Sequence, residues 1–103
     1  MKIYWTRSAT RDLRAVEAYI AENSPYYARE FVSKILAGTR KLASFPRIGR
    51  RVPESDREDI RELIFQGYRI IYQEGSDSIR ILAVFHGSFD LAHQETRPWL
   101  GDS

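Results

Sequence analysis

The 103-residue sequence has no cysteine, two histidines, and three lysines beside thirteen arginines. Without thiols it can build neither a disulfide framework nor a thiolate zinc site. A chain that needs no disulfides fits a reducing cytoplasm, the expected compartment. His86 and His93 stand alone, with no spaced ligand set around them, so no structural metal is expected. No apolar run approaches the ~20 residues of a membrane span. The opening "MKIYWTRSATRDL" lacks the apolar stretch and small-residue cleavage site of a secretory leader. Phosphate-cradling glycine patterns are missing too: "RIGRR" holds a single glycine, and no nucleophile elbow occurs. These absences exclude a nucleotide-loop enzyme, and no cofactor is expected. Repeats, low-complexity tracts and internal linkers are also missing, so residues 1–103 read as one domain.

What is present is unevenly charged. The net charge is only +2, but residues 1–51 hold 11 Lys/Arg against 4 Asp/Glu, and residues 52–103 hold 5 against 10. Arginine binds phosphate and carboxylate through a planar fork, whereas lysine acts as a point charge. An arginine-biased chain points to an acidic partner, either nucleic acid or an acidic protein segment.

Periodicity supplies the elements. "KIYW" is short, β-branched and aromatic, an opening strand. Thr6 or Ser8 can cap a helix whose apolar stripe is Ala9, Leu13, Val16 and Ile20. Ser24 as N-cap and Pro25 at the first helical position start a second helix, with Ala28, Phe31, Val32, Ile35, Leu42 and Phe45 as its stripe and Pro46 as its stop. The long loop "FPRIGRRVPESDRED" follows, with four arginines and no period. Then come three strands, "IRELIF", "YRIIYQE" and "SIRILAVFH", joined by turns at Gly67 and "EGSDS". The tail offers one or two helical turns around Leu91, and Trp99 and Leu100 after Pro98 could dock on the body or on a partner. The order β-α-α-β-β-β predicts an α+β fold: an antiparallel helical hairpin on a small antiparallel sheet.

The candidate chemistry gathers on arginines, carboxylates and His86. Turning at "EGSDS" brings Arg69 to within a few residues of His86, in a register that sequence leaves open. The loop can place Arg50, Arg51 and Glu54 along the sheet's rim. Metal-free RNA cleavage needs a base, an acid and a cation for the phosphorane; Glu54 or His86 could serve as base or acid and Arg69 as the cation. Equally, Arg69 can be an ion-pair partner, His86 an exposed strand end, Glu54 a turn residue, and Tyr68 and Tyr72 packing residues. Arg47, Arg50, Arg51, Arg61 and Arg80 are the candidates for binding a partner or nucleic acid.

The blocks "IYWTRSATRDLRAVEAYIAENSPYYAREFVSKIL", "LASFPRIGRRVPE", "IRELIFQGYRIIYQ" and "IRILAVFHGSFDL", in that order and spacing, resemble the RelE/ParE superfamily of type II toxin–antitoxin toxins. The resemblance implies a helical hairpin against a small sheet and a growth-inhibiting toxin neutralised by a cognate antitoxin. It also implies that operator DNA is met only through that antitoxin, with no membrane partner. One branch, similar to RelE and YoeB, cuts messenger RNA on the ribosome; there Glu54, Arg69 and His86 match the acidic residue, the transition-state arginine and the strand-end histidine. The other, similar to ParE, poisons DNA gyrase without nuclease chemistry. Gly87 stands where the YoeB pattern has tyrosine, and "HGSFDLAHQ" looks more like the ParE branch, although many relatives there have arginine in place of Phe89. The gyrase-poison branch is favoured, with ribosome-dependent RNA cleavage as the alternative and a non-toxic, antitoxin-binding co-repressor as a third reading.

Overall fold

A computed structural model describes residues 1–89, 91 and 97–100. The expected turns around Leu91 and the side chain of His93 fall largely outside these residues. Strand β1 (Lys2–Trp5) leads into helix α1 (Arg7–Ala21) and helix α2 (Pro25–Arg40). The chain then forms β2 (Arg50–Arg51), β3 (Ile60–Phe65), β4 (Tyr68–Glu74) and β5 (Ser78–His86). The sheet order is β1-β5-β4-β3-β2.

The β-α-α-β-β-β order is therefore observed, with two additions. The arginine-rich loop contributes the two-residue β2 to the outer edge of β3, pairing Arg50 with Glu62 and Arg51 with Arg61. The sheet is mixed, because β1 runs parallel to β5 in the register Lys2↔Ser78 to Trp5↔Ile81. Both helices and three further strands lie between β1 and β5, ample chain for the crossover that parallel pairing requires.

Both helix starts follow the capping chemistry. The Thr6 hydroxyl accepts from Ala9 N–H at 3.1 Å and donates to the Ile81 carbonyl at 2.8 Å, tying helix start to strand end. Ser24 accepts from Tyr27 N–H at 3.1 Å, ahead of Pro25. The stripe Ala9 and Leu13 clusters with Phe31 and Ile35, with Val16, Ile20 and Val32 at its margin. Helix α2 stops sooner than its apolar stripe suggests, passing at Lys41–Ala43 into a 3-10 turn that buries Leu42. Phe45 is correspondingly exposed rather than part of the stripe. Pro46 disfavours a helical conformation only at Phe45, and the α-helix has already given way at Lys41.

Two cores result. The helix-facing one adds Ile70, Tyr72, Ile79, Ile81 and Val84 to the helical stripes. On the far face of the sheet, Val52, Ile60, Ile71, Leu82, Ala83 and Leu91 form a second core, with Phe85 and Trp99 packed on it. Trp99 thus docks on the body, whereas Leu100 stays exposed. Each buried Ile or Leu of these cores contributes roughly 1.5–3 kcal/mol of transfer free energy. Among the described residues, no helix is long and apolar enough to cross a membrane.

Candidate functional site

Register decides which candidates meet. The β3–β4 turn has positive φ at both central residues, Gln66 (48°) and Gly67 (83°), the geometry of a tight two-residue hairpin. It sets Phe65 opposite Tyr68 and Ile64 opposite Arg69. Because side chains alternate, Glu62 and Arg69 point to the far face, and Tyr68 points toward the helices. Across the β4–β5 pair, Arg69 stands opposite Phe85, and Tyr68 opposite His86. Arg69 and His86 therefore occupy opposite faces of the sheet, a question that sequence leaves open.

On the far face the charges form a chain of four. The Arg69 Nε donates to Glu62 Oε1 at 2.5 Å, and its two terminal nitrogens donate to Glu54 at 3.0 and 2.7 Å. Arg50 Nε donates to the other Glu62 oxygen at 2.7 Å. The order is Arg50–Glu62–Arg69–Glu54, alternating in sign. Exposure falls steeply toward its middle: 60% for the Arg50 side chain, 0% for Glu62, 9% for Arg69 and 22% for Glu54. The Arg69 guanidinium also lies 5.5 Å from the centre of the Phe85 ring, a cation–π contact.

Electrostatics follow the geometry. The bidentate bond from Arg69, helped by that cation's charge, holds the Glu54 carboxyl below its usual range against the opposing effect of burial. Reciprocally, the Glu54 bond and then the Glu62 pair push the Arg69 guanidinium further up, so it stays charged at any accessible pH. The three bonds use Nε and one N–H of each terminal nitrogen, leaving two of the five guanidinium donors. Glu54 lies in the loop and Arg69 in the sheet, so the pair ties one to the other.

His86 has a separate setting. It is exposed, its ring meets Tyr68 edge-on at 5.3 Å, and Tyr68 packs in turn on Phe31 at 5.1 Å. Its Nδ1 accepts from the Ser88 backbone N–H at 3.1 Å and lies 2.7 Å from the Ser88 hydroxyl. Accepting there places the neutral ring's proton on Nε2, which faces the Gly67 turn.

The remaining arginines do not converge on one surface. Arg47 pairs with Glu74 at 3.1 Å. Arg51 is exposed on β2. Arg61 is half-buried and donates to the Gly49 carbonyl at 2.9 Å. Arg80 stands on β5, opposite Tyr4 of β1 and Gln73 of β4. The groove between hairpin and sheet is flanked by lysine instead: a cleft of about 210 Å³ lies between α2 and β3, lined by Lys34, Gly38, Lys41, Ile48, Leu63 and Phe65 among others. Among the described residues no His/Cys/Asp/Glu group is arranged to hold a metal ion.

Two important residues escape a reading by composition. Glu62 shares its face with Ile60, and a charge inside an apolar alternation is the signal of a buried ion pair; "IRELIF" carries that signal. Asp12, which reads as part of the wet face of α1, accepts from Val84 N–H at 3.0 Å and covers the edge of β5 beyond the end of β1.

The comparisons agree with this architecture. Residues 3–91 match the model of the ParE toxin of the type II toxin–antitoxin system, parDE. The chromosomal ParDE toxin–antitoxin system from P. aeruginosa is similar in structure, with a TM-score of 0.69 and 25% identity over 84% of this chain and 95% of that one. The toxin–antitoxin complex RelBE2 from Mycobacterium tuberculosis shares the fold, with a TM-score of 0.53 and 22% identity over 82% of this chain and 95% of that one. No curated protein sequence matches the chain. With a family match across most of its length, on the strand, helical hairpin and sheet described above, the chain belongs to the ParE toxin family of type II toxin–antitoxin systems, within the RelE/ParE superfamily.

Proposed function

We propose that this toxin acts by binding DNA gyrase rather than by cutting RNA, and that a cognate antitoxin holds it inactive. The observation that carries this reading is the state of Arg69. Its Nε and both terminal nitrogens are bonded to Glu54 and Glu62, and it lies across the sheet from His86. RNA cleavage without a metal needs a base, an acid and a free cation converging on one phosphate. Here the cation is neutralised, the anionic Glu54 is bound to it, and the histidine faces the other way. A protein-binding poison needs none of these groups free. The antitoxin reading draws support from the parDE family model and from the ParDE system that resembles this chain. Operator DNA would be contacted through the antitoxin.

Induced expression without antitoxin tests the reading, with gyrase-linked DNA breaks and messenger cleavage followed in the same cultures. Double-strand breaks and a DNA-damage response are expected, with messenger RNA intact, and His86→Ala is expected to stay fully toxic because that side chain is exposed and apart from the ion chain. Messenger cleavage on ribosomes that disappears in His86→Ala would instead establish the endoribonuclease. Harmless expression of a folded protein would establish the co-repressor.

A further inference from the structure

The arginines of the helices are placed differently from those of the loop and sheet. Arg47, Arg50, Arg57 and Arg69 each pair with a carboxylate, and Arg61 donates to a carbonyl. Arg7, Arg11 and Arg14 of α1 are exposed, and their side chains make no salt bridge or hydrogen bond among the described residues. They also share a face. Ala9 and Leu13 turn the buried stripe of α1 toward the core. At 3.6 residues per turn, Arg7, Arg11 and Arg14 fall within about 60° of one another on the opposite side, and the exposed Ala18 continues their line.

Neither carboxylate of α1 interrupts the row. Asp12 accepts from Val84 N–H and so faces the edge of β5. Glu17 is half-buried and makes no salt bridge. Helix α2 adds to the charge. Its exposed Arg29 and Arg40 lie on the flank away from Lys34 and Lys41, which line the β3 groove, and hence toward α1. The large exposed apolar side chains of the two helices, Tyr19, Tyr26 and Tyr27, gather around the hairpin turn, at the other end of α1 from Arg7 and Arg11. The outer face is therefore cationic and, between its arginines, without apolar anchors.

We infer that this outer face of α1 binds the phosphate backbone of duplex DNA, so that the toxin grips the DNA held by gyrase as well as the enzyme. The guanidinium fork matches a phosphate in shape and charge. Arg7 to Arg14 spans about 10 Å of helix, a length over which one strand of a duplex passes about three phosphates. An acidic protein segment is the other polyanion, but a folded-on-binding helix docks through apolar anchors, and this face has none to receive them. With a net charge of only +2, the placement of these arginines rather than their total is what attracts a polyanion. Phosphate contacts carry no sequence information, so no sequence preference is expected. The identity of the DNA rests on the gyrase reading above.

The test uses the full chain free of antitoxin and short labelled DNA duplexes of unrelated sequence, with affinity followed by fluorescence anisotropy across a salt series. The wild-type chain is expected to bind the duplexes equally and to weaken steeply with salt. Arg7→Gln, Arg11→Gln and Arg14→Gln combined change only exposed side chains and keep helix propensity, so the variant remains folded. It is expected to bind at least about tenfold more weakly, with the slope of log K against log salt shallower by about 0.9 per arginine removed. Lysine at the same positions is expected to retain most of that slope. Arg51→Gln, which removes an exposed arginine of β2, is expected to change neither value. In cells the triple variant is expected to give fewer gyrase-linked breaks than the wild type. Unchanged DNA affinity in the triple variant, or an equal loss from Arg51→Gln and Arg11→Gln, overturns the site and leaves the gyrase reading intact. A poly-glutamate peptide that binds as tightly as the duplexes would assign the face to an acidic protein and overturn the proposed partner. A wild-type chain that binds DNA through these arginines yet causes no gyrase-linked breaks upholds the phosphate site and overturns the gyrase reading.

Discussion

At the residue scale, the ion chain distinguishes holding a fold from handling a substrate. Removing Arg69 strands the fully buried Glu62 with only Arg50 beside it. Breaking a buried pair by deleting one partner costs about 3–5 kcal/mol, because the other charge stays buried. Arg69→Ala is therefore expected to lose about that much in urea unfolding. Glu54→Ala, at the more exposed end, is expected to lose about 1–3 kcal/mol, since Arg69 keeps its bond to Glu62. Equal losses from the two variants would show that the interior of the chain of charges is not where its stabilisation lies. Loss of toxicity in Arg69→Ala would accordingly report unfolding unless stability is measured beside it.

At the scale of elements, the start of the arginine-rich loop is anchored by a phenol. The Tyr72 hydroxyl, at the centre of β4, donates to the Pro46 carbonyl at 2.7 Å and accepts from Gly49 N–H at 3.0 Å. Burial pushes this phenol's pKa up, so it keeps its proton and remains a donor. Gly49 has no room for a side chain there: a Cβ would lie 2.5 Å from the Glu62 carbonyl and 2.7 Å from the Tyr72 oxygen. Tyr72→Phe is expected to cost about 1–3 kcal/mol for each buried group left unpaired and to speed amide exchange at Gly49, with the rest of β4 still protected. Uniformly faster exchange across the sheet would mean that the loop and sheet open as one unit.

Much of this arrangement was legible in the sequence, for identifiable reasons. Caps at Thr6 and Ser24 and apolar stripes are local patterns, and local patterns determined the helices. The parallel β1–β5 pair and the short β2 depend on partners distant in sequence, which no window of residues contains. The site divides the same way. That Tyr72 is a packing residue and that Arg69 can form an ion pair follow from their strand, but the face that separates Arg69 from His86 depends on a register set by Gln66 and Gly67. Glu62 was visible only as an anomaly in its alternation. The groove's lysine rim reflects helix rotation, and the richer arginine content of the chain gave no hint of it.

For the molecule as a whole, acid should act through opposing carboxylates. Glu54, ordinarily near 4.5, is lowered chiefly by its bond from Arg69, and Asp59, ordinarily near 3.8, by its bond from Arg57. Their stabilisation is present above those ordinary values and is lost as pH falls through the lower folded-state ones. Asp12 has the reverse sign. Burial raises it above 3.8 despite the bond from Val84, so its contribution is favourable in acid and is lost as pH rises through the raised value. Glu54 and Asp59 therefore act to destabilise the protein as pH falls below about 4.5, and Asp12 acts against them. Asp12→Asn keeps an acceptor for Val84 without a buried charge. It is expected to equal or exceed wild-type stability at pH 7 and to bring the acid transition to a higher relative depth, as thermal melts across pH 3–8 would reveal. A large loss at pH 7 would mean that the Asp12 charge itself is favourable.

The first strand closes the sheet only when the last one arrives: Thr6 and Ile81, joined by two hydrogen bonds, are 75 residues apart. At ribosomal speeds of roughly 5–20 residues per second, the nascent chain waits about 4–15 s between making the two halves of that seam. A polypeptide released before Ile81 is made therefore lacks the seam that closes the sheet. Protease resistance is therefore expected to appear late in synthesis, as limited proteolysis of stalled nascent chains of increasing length would check.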